Sequence, residues 1–169
     1  MENKYIYFVE GKCEVALLEA LKANPPLIKS GKIRKLNLIQ EKISNSVLMG
    51  ISSGTKVAFV FDTDVAFTRQ LKSNIELVRR HCKFSEIIYL PQVRNFEDEL
   101  VRCTDVSRVE ELTQSAGKKD FKKDFCGNRN CRALLERHHL NMAKLWVTQP
   151  PSNFDCDVVL NGEKIKVKK

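Results

Sequence analysis

Apolar residues in the first half of the chain form segments typical of strands, separated by segments typical of helices. Short apolar runs at Tyr5 to Val9, Val57 to Phe61 and Ile87 to Leu90 have the length and residue types of buried strands. Ile33 to Ile39 alternates apolar and polar residues, which predicts a further strand with one buried face. The first half of the chain therefore predicts four strands.

Helical patterns separate these strands. Apolar residues recur at helical spacing between Cys13 and Lys22, and Asn24-Pro25-Pro26 ends that helix. Ile43 to Met49 predicts a short helix, and Thr68 is suited to cap a helix that runs to about His81. Strands alternating with helices predict an α/β fold of the Rossmann-like kind, with a mostly parallel sheet of about four strands and helices on both faces.

The pattern changes after Pro91. Phe96 to Val101 and Val106 to Leu112 are expected to be helical, Gly117 to Arg132 is polar and loop-like, and Ala133 to His138 returns to a helical pattern. Leu145 to Val147 is a candidate for a short strand. The second half therefore reads as a helical elaboration of the sheet.

The end of the chain carries a hairpin pattern. Asn161-Gly162 lies between the apolar and alternating segments of residues 157–169. This dipeptide favours the tight turn that joins two antiparallel strands. We therefore expect a terminal β-hairpin.

Length and charge narrow the class of protein. A chain of 169 residues with 43% hydrophobic residues can fill one domain core. It has neither an apolar run long enough to cross a membrane nor a signal-peptide pattern, so a soluble, cytoplasmic protein without membrane partners is expected. The net charge of +8 favours nucleic acid as a partner, although such a charge can also serve solubility alone.

Carboxylates stand where two of the predicted strands end. Glu10 follows the first strand, and Asp62 and Asp64 follow the strand of Val57 to Phe61. The carboxyl ends of parallel strands lie at one edge of a sheet, where ligands gather, and carboxylate oxygens suit hard cations such as Mg²⁺. The alternatives are turn chemistry for the aspartates and a surface position before a glycine turn for Glu10.

These residues also carry a family resemblance. Val9-Glu10-Gly11-Lys12-Cys13-Glu14, entering a helix, and Val57 to Asp64 (VAFVFDTD) resemble the two signature motifs of the Toprim family. The first motif is most similar to small ribonucleases of ribosomal RNA maturation and to phage-defence nucleases of the overcoming-lysogenization-defect type. Their pattern is Val-Glu-Gly-Lys-X-Asp, with Glu14 here in the place of the aspartate.

The resemblance implies a Toprim-like core over residues 1–92, with residues 93–169 packed on it as one domain. It implies Mg²⁺ or Mn²⁺ held by Glu10, Asp62 and Asp64, and cleavage of RNA or DNA phosphodiester bonds in phage defence or RNA processing. The apolar Val65-Ala66-Phe67 after the second motif departs from the topoisomerase and primase versions. The alternative function is a catalytically silent, regulatory Toprim-like subunit that works with an ATPase in a defence or repair complex.

Further residues are candidates for the same site. Glu97 is a candidate second-metal ligand, or a solvent-facing carboxylate in the first turn of a helix. Basic residues are candidates for phosphate contact, or form the solvated face of a helix whose Phe121 and Phe125 face the core. The candidate basic residues are Lys12, Lys118, Lys119, Lys122, Lys123, Arg129 and Arg132.

Cysteines and histidines in the second half raise the question of zinc. Cys126, Cys131 and His138 are residue types that bind zinc. Their spacing is poor for a tetrahedral site, which favours unrelated thiols and helix histidines. The six cysteines are scattered, which favours free thiols over disulfides.

Overall fold

Four parallel strands form the sheet that organises the fold. The computed structural model describes residues 4–65, 67–83 and 85–167. The strands are β1 (Tyr5–Val9), β2 (Lys32–Lys35), β3 (Lys56–Asp62) and β4 (Glu86–Gln92), in the spatial order β2-β1-β3-β4. Every pairing is parallel, so the predicted α/β class with a four-stranded parallel sheet is confirmed.

Helices cover both faces of this sheet. They are α1 (Lys12–Lys22), α2 (Asn45–Met49), α3 (Arg69–His81), α4 (Phe96–Cys103), α5 (Lys118–Gly127) and α6 (Cys131–Arg137), with 3₁₀ helices at Val109–Leu112 and Gly162–Ile165. Successive side chains of a strand point to opposite faces, so the sheet divides the core into two apolar clusters. α1, α4, α5 and α6 pack on one face, and α2 and α3 pack on the other. No helix of the described residues is both long enough and apolar enough to span a membrane.

The second half of the chain completes the core on the face of α1. Leu17 and Leu18 of α1 share one buried cluster with Phe121 and Phe125 of α5 and with Trp146. All five side chains are essentially inaccessible to solvent. The segments on either side of residue 92 therefore share a single apolar cluster.

The expectation that Gly117 to Arg132 is loop-like was wrong, because α5 occupies most of it. Phe121 and Phe125 lie one helical turn apart and are fully buried, with their ring centroids 5.3 Å apart. Burial of these two aromatic side chains stabilises the helix, because helices in proteins depend mainly on burial of one face. The helical segment after Val106 is also shorter than predicted, a 3₁₀ helix at Val109–Leu112.

The prediction of a terminal β-hairpin was wrong for residues 157–167. Residues 168–169 lie outside the described part of the chain. Gly162–Ile165 form a 3₁₀ helix, and Lys166 pairs with Ile28 in an isolated antiparallel bridge. Asn161 has φ −122°, whereas the tight hairpin turn requires positive φ. Its side chain instead accepts the Tyr89 N–H at 2.8 Å and donates to the Ile87 carbonyl at 2.9 Å. The Asn161 side chain therefore pairs with two backbone groups on the open edge of β4.

The prediction of a short strand at Leu145 to Val147 was also wrong, because Leu145 and Trp146 lie in a turn. Trp146 has φ 59°, a left-handed conformation that is unfavourable for a bulky residue. Its N–H donates to Glu99 Oε1 at 2.8 Å, and its side chain is fully buried. Burial of the indole and the bond to Glu99 together hold the unfavourable backbone.

Candidate functional site

The topology of the sheet forms a crevice where β1 and β3 end. From β1 the chain crosses to β2 on one side, and from β3 it crosses to β4 on the other. Adjacent connections that leave in opposite directions open a crevice outside the carboxyl ends of the two strands. Glu10 follows β1 directly, and Asp62 is the last residue of β3. The structure thus brings these two predicted residues to the crevice.

Glu10 and Asp62 meet through the backbone. The Asp62 N–H donates to Glu10 Oε1 at 3.4 Å, and both side chains are half-buried. Asp62 Oδ1 is buried and has no hydrogen-bond partner among the described residues. A buried carboxylate oxygen without a partner costs free energy, so this atom is available for an additional ligand.

Burial and crowding of negative charge perturb both carboxyl groups. Desolvation raises the pKa of Glu10 to about 7, assisted by repulsion from Glu14 and Asp64. Desolvation also raises the pKa of Asp62 to about 8, with further repulsion from Glu10, Glu14, Asp64 and Glu97. In the absence of a cation both groups therefore ionise at a higher pH than ordinary carboxyl groups. A cation in the crevice would favour their charged forms.

The crevice continues into a cleft of about 690 Å³. The start of α1, together with parts of α4 and α5, forms its walls. The lining residues are Glu10, Gly11, Lys12, Cys13, Glu14, Asn37, Asp62, Phe96, Glu97, Lys122, Lys123, Cys126 and Gly127. The cleft therefore combines carboxylates at its base with lysines on its walls.

Glu97 lies in the cleft and is not a solvent-facing carboxylate. Its residue is 8% exposed, and its Oε1 forms an ion pair with Lys122 Nζ at 2.9 Å. The hydrogen bond to Glu97 raises the pKa of Lys122, so this lysine remains charged. Lys122 Nζ therefore already binds an anionic oxygen, and the oxygens of a phosphate group are acceptors of the same kind.

Asp64 differs from Asp62 in its surroundings. It is exposed and does not line the cleft, and its N–H donates to the Arg94 carbonyl at 2.9 Å. Its charge still contributes to the raised pKa of Glu10 and of Asp62. Asp64 therefore acts on the pair through the electrostatic field.

The fit of a metal ion can be tested on the donors present. Within residues 4–65, 67–83 and 85–167, no three or more His, Cys, Asp or Glu side chains form a set that could hold a metal ion. Glu10 and Asp62 supply two carboxylates, and Asp62 Oδ1 has no partner in those same ranges. Mg²⁺ often takes only one or two protein carboxylates and completes its octahedron with water and substrate phosphates. The donor chemistry therefore fits Mg²⁺ or Mn²⁺ bound by two protein ligands rather than the predicted three.

The predicted basic residues separate into two groups. Lys12, Lys122 and Lys123 line the cleft. Lys118, Lys119 and Arg129 are exposed but lie outside the lining. Arg132 faces another cleft, where its Nε contacts Glu136 Oε1 at 2.6 Å. The second group is not gathered at the carboxylates.

Several lining residues were not singled out by the sequence. Glu14, 6% exposed, accepts the Gly11 N–H at 3.1 Å, and its position in the first motif was the available signal. Asn37 follows the end of β2 and was hidden because the predicted strand extended to Ile39. Cys13 was not singled out and Cys126 was considered only for zinc, because their proximity depends on the packing of α1 against α5.

The residues considered for zinc have other neighbours. Cys126 Sγ lies 3.0 Å from Cys13 Sγ, whereas His138 Nδ1 lies 3.2 Å from Asp105 Oδ1. Cys131 is buried in the apolar cluster, and burial raises its pKa to about 12, with a further contribution from Cys126. A protonated buried thiol is a poor ligand.

Comparison of the chain with protein-family models, with curated proteins and with solved structures found no match. The Toprim resemblance therefore depends on the two motifs alone.

Proposed function

We propose that the protein is a divalent-metal-dependent nuclease that cleaves phosphodiester bonds of RNA or DNA. The observation that carries this proposal is the pair Glu10 and Asp62, half-buried at the ends of adjacent strands, with Asp62 Oδ1 unpartnered within the described part of the chain. Perturbed carboxyl groups in a cleft are typical of functional sites. The lysines of the same cleft favour a phosphate-bearing substrate.

Glu10 and Asp62 would hold Mg²⁺ or Mn²⁺ through their carboxylate oxygens, and substrate and water would supply the remaining ligands. When bound, the ion would activate water and stabilise the charge on the scissile phosphate and the leaving oxygen. Release of protons from the pair would accompany its binding, because only the charged carboxylates are good ligands.

The chain itself would position the substrate. Lys12, Lys122 and Lys123 would contact phosphate oxygens along the cleft. Lys122 would exchange its bond to Glu97 for a bond to phosphate, since both partners are anionic oxygens. Such contacts fix the position of the backbone and carry no sequence information.

Glu10 is also suited to proton transfer. Without a bound ion its pKa of about 7 is in the range in which a general acid or base works near neutral pH, so this role belongs to a state in which Glu10 is not a metal ligand. The setting that the resemblance implies is phage defence or RNA processing, with an ATPase as a partner for a version that is inactive alone.

The test is a cleavage assay on single- and double-stranded RNA and DNA in Mg²⁺ and in Mn²⁺. Glu10→Gln and Asp62→Asn keep side-chain size but remove the charges, and each should lower the cleavage rate by about a hundredfold or more. The matched control is Glu76→Gln, which changes an exposed carboxylate paired with Arg79 on α3. It should cleave at the parent rate.

Cleavage that persists in both site variants would contradict the proposal and indicate a contaminating nuclease. If the parent cleaves none of the four substrates with either ion, the nuclease function is wrong for the isolated chain. A regulatory subunit acting with an ATPase would then be the remaining interpretation.

A further inference from the structure

Two thiols meet on the wall of the cleft although 113 positions separate them in the sequence. Cys13 lies in the first turn of α1, and Cys126 lies in the last turn of α5. Their Sγ atoms are 3.0 Å apart, and both residues line the cleft and are partly exposed. A small oxidant that enters the cleft can therefore reach either sulfur.

The separation of the sulfurs favours a covalent bond over a shared metal ion. Two thiolates on one tetrahedral zinc, with Zn–S distances of about 2.3 Å, lie about 3.8 Å apart. The observed 3.0 Å is shorter than that and requires a movement of about 1 Å to reach the disulfide length of about 2.05 Å. Short side chains at helix ends can supply such a movement.

We propose that Cys13 and Cys126 form a redox-active pair that closes to an intramolecular disulfide across the wall of the cleft. The bond would join α1 to α5 at a point three residues after Glu10 and four residues after Lys122. Where thiols are kept reduced, such a bond is transient and regulatory. Its effect on substrate binding, but not its formation, depends on the proposed function.

The oxidation needs a two-electron acceptor such as hydrogen peroxide. The thiolate of Cys126 attacks the O–O bond, forming a sulfenic acid and releasing hydroxide, which takes up the proton lost by that thiol and leaves as water. The Cys13 sulfur then displaces the sulfenic hydroxyl, its proton leaves with that group as a second water, and the S–S bond forms. Two thiols are oxidised and one peroxide is reduced to two waters.

The environment of Cys13 supports this order. Burial, followed by the hydrogen bond with Cys126, raises the pKa of the Cys13 thiol, so it remains protonated. A protonated thiol reacts slowly with peroxide. The first attack on peroxide is therefore assigned to Cys126, and Cys13 resolves the sulfenic acid because its sulfur lies only 3.0 Å away.

The bond would restrain the wall that carries two phosphate-binding lysines. Lys122 and Lys123 lie on α5 in the turn before Cys126. Tying α5 to α1 limits their adjustment to a polymeric substrate. The oxidised protein should therefore bind nucleic acid about tenfold more weakly than the reduced protein.

The first test measures bond formation without reference to activity. The full chain is treated with hydrogen peroxide and analysed by intact mass and by peptide mapping without reductant. The expected result is the loss of two hydrogen atoms, a Cys13–Cys126 cross-linked peptide, and reversal by dithiothreitol. Cys13→Ser and Cys126→Ser should lack the cross-link, whereas Cys131→Ser should retain it.

A Cys126–Cys131 link in the parent, or Cys126 oxidised to sulfinic acid without a cross-link, would overturn the proposal. Melting temperature gives a second readout that needs no substrate. A disulfide closing so long a loop should raise it by about 5–15 °C in the parent and leave Cys13→Ser unchanged. An equal shift in both proteins would also overturn it. If the bond forms but no nuclease activity is found, only the proposed function fails.

Discussion

The backbone N–H of Asp62 lies 3.4 Å from Glu10 Oε1, and this contact joins the ends of two adjacent parallel strands. The same contact brings two carboxyl groups into one half-buried crevice. Without a cation, burial and mutual repulsion oppose their ionisation. The crevice therefore has an electrostatic cost that a divalent ion would relieve, and this cost can be measured.

The free energy of unfolding should depend on pH through this pair. The pKa of Asp62 rises from 3.8 to about 8 on folding, and that of Glu10 rises from 4.5 to about 7. Between these values the native state binds more protons than the unfolded state, so stability falls as pH rises. The stability that the neutral carboxyl groups contribute is present in full below about pH 3. It is lost as pH rises through the folded pKa values, and the loss is complete above about pH 9.

Asp62→Asn should remove part of the loss of folding stability that the parent shows at high pH. In EDTA at about pH 8.5 the variant should be about 1–3 kcal/mol more stable than the parent, and the difference should shrink near pH 4. Urea unfolding at both pH values provides the measurement. Glu76→Gln, at an exposed pair, should stay within about 0.5 kcal/mol of the parent. A variant less stable than the parent at pH 8.5 would contradict the assigned cost.

Divalent ions should stabilise the protein at the same crevice. Mn²⁺ at about a hundred times its dissociation constant should raise the melting temperature by about 5–10 °C. The rise should be larger at about pH 8 than at about pH 6, because protons compete with the ion. Thermal unfolding with and without Mn²⁺ measures it.

Variants distinguish the ligands. Glu10→Gln and Asp62→Asn should lose most of the response, whereas Asp64→Asn should keep most of it, since Asp64 lies outside the cleft. An undiminished response in Asp62→Asn would place the ion elsewhere.

Lys122 and Lys123 should dominate the binding of phosphates. Changing both to Ala should weaken nucleic-acid binding for all sequences alike and reduce the salt slope by about 1.8, the value for two phosphate contacts. Fluorescence anisotropy over a range of salt concentrations measures both quantities. The charge-matched control is Arg80→Ala with Lys83→Ala, at exposed positions near the start of β4. A control with the same loss would indicate a general charge effect.

Glu99 should be essential for the turn that buries Trp146. Glu99 is fully buried and accepts hydrogen bonds from Trp146 N–H at 2.8 Å and Val93 N–H at 2.9 Å, besides its ion pair with Arg102 at 2.6 Å. Glu99→Ala leaves these donors unpaired and should lower stability by about 3–5 kcal/mol. The fluorescence of Trp146, the single tryptophan of the chain, should shift to the red as it becomes hydrated.

Glu99→Gln keeps an acceptor and should cost less. Urea unfolding and emission spectra give the two measurements. A loss below about 1 kcal/mol for Glu99→Ala would show that burial of the indole alone holds the turn.

The strands and the two central carboxylates could be predicted from the sequence because their signals are local. The apolar runs before Glu10 and Asp62 mark buried strands, and a parallel sheet places both strand ends at one edge. For α5 the sequence left two alternatives, because the polar composition favours a loop while Phe121 and Phe125 recur at helical spacing, and the structure has the helix. The prediction of a hairpin was wrong because Asn161 was judged only as a turn residue. In the structure its side chain bonds to the nearby edge of β4, a contact between distant segments.

The sequence by itself determined the α/β class, the four strands, and the placement of Glu10 and Asp62 where strands end. Only the tertiary structure decided that Asp64 lies outside the cleft, that Glu97 pairs with Lys122, and that Cys13 meets Cys126. Strand patterns repeat over a few residues and are therefore visible in the sequence. The cleft joins side chains of α1, α4 and α5 through packing on the sheet, and such contacts between distant segments leave no local pattern.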